Sequence, residues 1–251
     1  MSDKATLTFG DSTYPLNIIT GTENEKALDV RQLRKESGLI TYDDGYGNTG
    51  SCESSVTFID GDKGILRYRG YDIAELAEKA NFLEVCLLLL NGELPTSAQL
   101  STFEEKVATF QHLPAEVLQA VESMPANTHP MGSLASGLQA LGGACAHLCT
   151  NDRTQDLNNF DDAAALIIAS LPVLAAASHR KKTGDALPPS NKSFNYCTNF
   201  LSMMFAQEGD NPINPSLSKA LDLIFLLHAD HEQNCSTSTC RMIASGGANP
   251  F

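Results

Sequence analysis

The sequence predicts a mainly α-helical fold with a small β-containing region at its N-terminal end. Three observations point there. After Asp72, apolar residues recur at helical spacing behind recognisable capping residues. Before it, short alternating segments are separated by glycine- and aspartate-rich turns. The composition, 42% hydrophobic and 19% charged over 251 residues, is that of an ordinary folded protein with a core to bury.

Residues 5–9 (ATLTF) and 14–19 (YPLNII) flank Gly10-Asp11-Ser12-Thr13 and read as a hairpin. Residues 43–50 read as a loop. Residues 55–60 (SVTFID), the turn Gly61-Asp62-Lys63-Gly64 and residues 65–69 (ILRYR) read as a second hairpin, with Val56, Phe58 and Ile65 on its apolar side. Asp72 is placed to cap a helix through Lys79, and Asn81 to cap the next. In that second helix the run VCLLLL (85–90) is apolar all round, so it belongs in the interior; Gly92 and Pro95 end it. Thr96 and Gln99 form a capping-box pattern for a helix to about Phe110. Further helices fit 114–123, 130–149, 161–182, 193–205 and 215–232, with polar connectors over 151–160 and 208–215. No solenoid-length repeat occurs. The organisation expected is a β-containing region over 1–70 and a helical body over 71–251.

The segment AAALIIASLPVLAAA (163–177) is shorter than the about 20 apolar residues a bilayer requires, and Pro172 interrupts it. It reads as a buried helix packed through small side chains, not a span. A net charge of −13 excludes nucleic-acid and anionic-membrane partners, which would be repelled. Seven cysteines, an odd number with no CxxC, read as reduced thiols. The N-terminal residues carry no apolar signal core and no arginine, so the expected location is cytoplasmic.

One stripe carries the candidate chemistry: Leu217, Leu221, Ile224, His228 and His231. The steps of four, three, four and three put all five on one face of a single helix. Three are apolar, so both imidazoles are expected to point inward, with Asp230, Glu232, Gln233 and Asn234 as polar partners. Imidazole N–H groups aimed into such a place suit recognition of a carbonyl or an anion. Two core histidines satisfied by their neighbours are the plainer alternative. HADHE matches neither HExxH nor HxxEH, so no metal ligands are assigned. A Cys235–histidine dyad is a weaker alternative.

Other motifs carry less. Gly45, Gly47 and Gly50 match GxGxxG, but no helix follows and Asp43 and Asp44 would repel phosphate. His129, before Pro130, reads as a helix-start residue. His179, Arg180, Lys181 and Lys182 read as a solvated basic helix end. His112 and His147 have no partner signature.

These residues together resemble the citrate synthase family. The resemblance rests on Ser51-Cys52-Glu53-Ser54, IDG (59–61) with GILRYRGYDI (64–73), the helix 83–92, His129-Pro130-Met131 and NFLSMMF (199–205). Above all it rests on LHADHEQN (227–234) with STST (236–239). The N-terminal β extension resembles the bacterial type II branch, which is typically hexameric. The resemblance implies a helical large domain and condensation of acetyl-CoA with oxaloacetate and water to give citrate and CoA. It also implies a homo-oligomer, dimer or hexamer. Acetyl-CoA enters as substrate, and no resident cofactor is implied.

By position, His231 resembles the histidine that contacts oxaloacetate or citrate, and His228 lines the same region. The family's GPxHGGAN-type and GHR-type histidines, its catalytic aspartate and its carboxylate-clamping arginines have no counterpart here. The resemblance covers roughly the first half or more of a citrate synthase, and no catalytic acid or base is assigned. This chain alone is therefore expected not to turn over, and to expose apolar helix faces. 2-Methylcitrate synthase, taking propionyl-CoA, is the neighbouring alternative. A truncated, inactive subunit that only oligomerises or binds oxaloacetate is the non-enzymatic one.

Overall fold

Gly10, at φ +60°, turns the chain between β1 (Lys4–Phe9) and β2 (Ser12–Thr20), which pair antiparallel with Phe9 opposite Ser12. The computed structural model describes residues 3–148, 150, 152–207 and 212–247. Beyond the expected hairpin, a third strand, β3 (Lys26–Leu28), pairs with the free edge of β2. A short helix, α1 (Leu33–Ser37), follows and ends at Gly38 in the left-handed conformation. These elements form one compact unit, Met1–Ser54. Within it the GxGxxG loop is organised by Asp43, whose carboxylate accepts the N–H groups of Gly47 (3.2 Å) and Asn48 (2.9 Å) and the Thr49 hydroxyl (2.6 Å). The loop is wrapped on its own aspartate, with no helix opening behind it.

The second compact unit is Ser55–Phe251, which takes in the second hairpin together with the helices. The reason is Tyr68. Strands β4 (Thr57–Asp60), β5 (Ile65–Tyr68) and β6 (Tyr71–Asp72) form an antiparallel sheet in that order. Its Tyr68 is fully buried against Leu76, Val85, Leu88 and Leu226 of the helices. The hairpin is a wall of the helical core.

The capping residues act as the sequence indicates. Asp72 accepts the Ala74 N–H at 2.9 Å at the start of α2 (Ile73–Lys79). Asn81 and Glu84 form a reciprocal box at α3 (Phe82–Asn91), which ends at Gly92 with φ +88°. Thr96 and Gln99 do the same for α4 (Ser97–Phe110). α5 (Ala115–Ser123) and α6 (Pro130–Ala144) follow, and His129 Nδ1 accepts the Met131 N–H at 3.2 Å. α6 stops at Ala144, short of the expected 149; Cys149 lies outside the described residues. The connector expected over 151–160 contains α7 (Arg153–Asn158), capped by Asp152.

The core is organised around α8 (Phe160–Thr183). Leu166 and Leu174 pack with Val117, Val121 and Leu141 of α5 and α6. Ala165 and Ala169 meet Leu83, Phe103 and Val107 of α3 and α4. Val173 and Ala176 meet Met203 of α9 (Tyr196–Phe205). Small side chains let these neighbours approach: a Cβ built on Gly137 of α6 would stand 2.7 Å from a Leu174 methyl. α8 is long and apolar enough to cross a membrane, and here it is the wrapped helix of a core. Pro172 sits inside it without a break. A proline has no N–H for the carbonyl four residues back; that carbonyl, Ile168, instead accepts the Tyr196 hydroxyl of α9 at 2.8 Å.

The basic end of α8 corrects the sequence reading. Arg180 is buried, donating from Nε to the Met203 carbonyl (2.8 Å) and from Nη2 to that of Ala206 (2.6 Å). Lys181 Nζ donates to the carbonyls of Glu122 (2.7 Å) and Met124 at the end of α5. Neighbouring helix ends supply unsatisfied carbonyls, so these cations are structural clamps and not a solvated patch.

Candidate functional site

α10 (Pro215–Leu227) delivers the two candidate histidines, and here the structure departs most from expectation. The helix stops at Leu227; His228 is its C-cap, and residues 228–234 form a turn before α11 (Cys235–Ser245), a helix the sequence reading did not anticipate. The apolar stripe also faces the other way. Leu217 is 60% and Ile224 51% exposed, and both His228 and His231 are exposed. The inward side of α10 is an adjacent face. There Leu226 packs on Tyr68 and Leu88, and the Phe225 ring lies 5.3 Å from Phe82 and 6.0 Å from Phe200. Ser218 is held by Thr198 at 2.8 Å and Asn195 at 3.1 Å. α10 is apolar around most of its girth, so periodicity alone could not choose between its two greasy faces.

The polar neighbours expected to serve the imidazoles are engaged elsewhere, three of them with backbone N–H groups. Asp230 Oδ2 accepts the Glu232 N–H at 2.8 Å. Glu232 Oε1 accepts the Ile59 N–H of β4 at 2.6 Å. Asn234 caps α11 through the Thr237 N–H at 2.8 Å, and Gln233 Oε1 accepts from Arg241 at 3.1 Å. The Tyr68 hydroxyl lies 3.3 Å from the Leu227 carbonyl, and 3.2 and 3.3 Å from the carbonyl and N–H of Asp230. Burial raises the pKa of the Tyr68 phenol, keeping it a neutral hydrogen-bonding group. His228 turns back on its own helix, Nδ1 lying 2.8 Å from the Ile224 carbonyl. The result is a rigidly tethered turn carrying two surface imidazoles.

Nearly two helical turns before it, Asp222 joins three helices. Its carboxylate accepts the Phe82 N–H at the start of α3 (3.2 Å) and faces the Cys197 thiol of α9 (3.7 Å). Burial, reinforced by Glu84, raises the carboxyl pKa against the pull of the Phe82 N–H. Burial likewise pushes the Cys86 thiol to about 12 and raises Cys197. Cys235, the thiol nearest the histidines in sequence, is exposed.

Among the described residues no three His, Cys, Asp or Glu side chains converge on a metal-sized position. Grooves of 280 Å³, beside Arg180 and Lys181, and 530 Å³, between α4 and residues 192–196, are lined by neither His228 nor His231. What the turn offers is recognition: imidazole N–H donors, or imidazolium charge, on a braced support. The tethers from Tyr68 and Glu232 were beyond local pattern reading, since they link segments 162 and 173 residues apart.

Set beside known proteins, residues 45–251 match the family described as "Citrate synthase, C-terminal domain". Over all 251 residues the chain is 42% identical to the citrate synthase of Corynebacterium glutamicum, covering 57% of it. The structure is similar to that of citrate synthase from Pyrobaculum aerophilum: TM-score 0.72 and 29% identity, covering 82% of this chain and 51% of that one. For citrate synthase from Thermotoga maritima MSB8 the TM-score is 0.68 and the identity 30%, covering 83% of this chain and 52% of that one. The chain thus spans about half the length of these relatives.

Proposed function

The chain belongs to the citrate synthase family, and on that premise we propose that it serves the condensation of acetyl-CoA, oxaloacetate and water to citrate and CoA, with its 228–234 turn meeting oxaloacetate. The observation that supports this is the braced turn itself, with His231 exposed between two tethered residues. An imidazole N–H of His231 donates to a carbonyl or carboxylate oxygen of oxaloacetate, and His228 lines the same surface. Acetyl-CoA enters as a substrate. None of the described residues is assigned as the acid or base of the reaction, so binding and not turnover is the measurement.

Calorimetry with oxaloacetate tests it. The wild-type chain is expected to give saturable heat, and His231→Ala to weaken binding about tenfold, the worth of one hydrogen bond to a charged group. His228→Ala is expected to weaken it less. Equal affinity in wild type and His231→Ala would remove the reading. The free thiols at Cys52, Cys86, Cys145, Cys197, Cys235 and Cys240 favour a reducing compartment such as the cytoplasm. The exposed apolar side chains of Leu217 and Ile224 on α10 and of Met242 and Ile243 on α11 favour a homo-oligomer, dimer or hexamer, which sedimentation would report.

A further inference from the structure

Glu232 holds a conformation that a side chain rarely adopts, φ +51°, directly after His231. Such a conformation persists only when its surroundings over-determine it. Here two hydrogen bonds do so: the Glu232 N–H donates to Asp230, and the Glu232 carboxylate takes the Ile59 N–H. Ile59 lies on β4, an edge strand of its sheet, so the carboxylate covers an outward N–H that β5 does not use. On the other side of His231, the backbone of Asp230 is fixed to the Tyr68 hydroxyl through both its carbonyl and its N–H. Tyr68 ends β5, the strand paired with β4. The residues before and after His231 are thus tied to one hairpin, while His231 itself stands exposed between them.

We propose that Tyr68 and Glu232 are positioning residues for oxaloacetate recognition, fixing the direction in which the His231 side chain leaves the turn. This rests on the role given to His231 above. Without both ties Glu232 relaxes to the ordinary φ < 0 region, and the imidazole before it samples several directions. A ligand then selects one of them at a cost in affinity.

The test is histidine-selective NMR of the chain together with oxaloacetate calorimetry. In Glu232→Ala the His231 ring signals are expected to move towards those of an unstructured peptide and oxaloacetate binding to weaken about fivefold, with the His112 and His147 signals unmoved. Glu232→Gln, which keeps an oxygen acceptor for Ile59, is expected to restore both readouts. Tyr68→Phe keeps the ring in the core and is expected to shift His231 in the same sense; it carries the test if Glu232→Ala fails to fold. Unchanged His231 signals in folded Glu232→Ala or Tyr68→Phe would overturn the proposal. Absent wild-type oxaloacetate heat would instead remove the functional reading, while the His231 spectrum still decides the bracing.

Discussion

The Arg180 guanidinium, only 3% exposed, donates to the Met203 carbonyl at 2.8 Å and so ties the end of α8 to the end of α9. Its other donors reach Ser202 and Ala206. Replacing it by methionine fills the volume and strands the Met203 and Ala206 carbonyls, while Ser202 keeps the Ala206 N–H. Arg180→Met is expected to lose about 3 kcal/mol, the penalty for orphaned buried acceptors. Urea denaturation with a fixed m-value checks it.

Asp222 titrates in a direction opposite to most surface carboxylates. Its folded pKa is raised, by burial first and by Glu84 second, so the folded state binds its proton more tightly than the unfolded chain does. Its contribution to stability is full below the ordinary aspartate range and is lost as pH rises through the raised folded value. Asp222→Asn carries no such titration. The stability of wild type minus that of Asp222→Asn is therefore expected to grow as pH falls from 7 towards about 4. Parallel denaturation series at several pH values would show the slope.

Two glycines of α6 should answer alanine with opposite signs. A Cβ on Gly137 would meet Leu174 at 2.7 Å and a Val121 methyl at 3.1 Å in the packed core. Gly137→Ala is expected to cost about 1–3 kcal/mol through overpacking. Gly143 has nothing within 4 Å, and Gly143→Ala is expected to gain about 0.5–1 kcal/mol. Thermal melts of the pair under one buffer settle the contrast.

Thiol reactivity should follow burial. Cys52, Cys235 and Cys240 are exposed, whereas Cys86 and Cys197 are buried with their thiols held protonated. Under native conditions a thiol-alkylating reagent is expected to label the first three and spare the latter two. Peptide mass spectrometry reads this directly.

How much of this was legible in the chain depended on range. Asp72, Asn81, Thr96 and Gly92 act within four residues of themselves, and each marks its helix boundary where the sequence puts it. The hairpin at Gly61-Asp62-Lys63-Gly64 is equally local. β3 escaped notice because three exposed residues leave no periodicity to detect. α11 escaped because its sequence, CSTSTCRMIAS, is mostly hydroxyl and thiol side chains with no buried face. The candidate site was half legible. The HADHEQN segment marks a special place, yet the apolar stripe it continues predicts inward histidines where both are exposed. What decides the facing of α10 is Tyr68 meeting Leu226 and Phe82 meeting Phe225 across the fold, and no window of α10 contains those partners. The clamps by Arg180 and Lys181 were hidden for the same reason: a basic helix end looks identical whether it faces water or the carbonyls of other helices.

The proline in α8 has an outcome for how the molecule assembles. With Ile168 satisfied by a hydroxyl from Tyr196, the longest helix cannot complete its own ladder from its own atoms. It has to wait for a later stretch of polypeptide, so its middle should gain protection from hydrogen exchange only in step with α9. A single missing proton thus adds a tie between two segments that Arg180 and Met203 already join, and Tyr196→Phe would remove that tie alone.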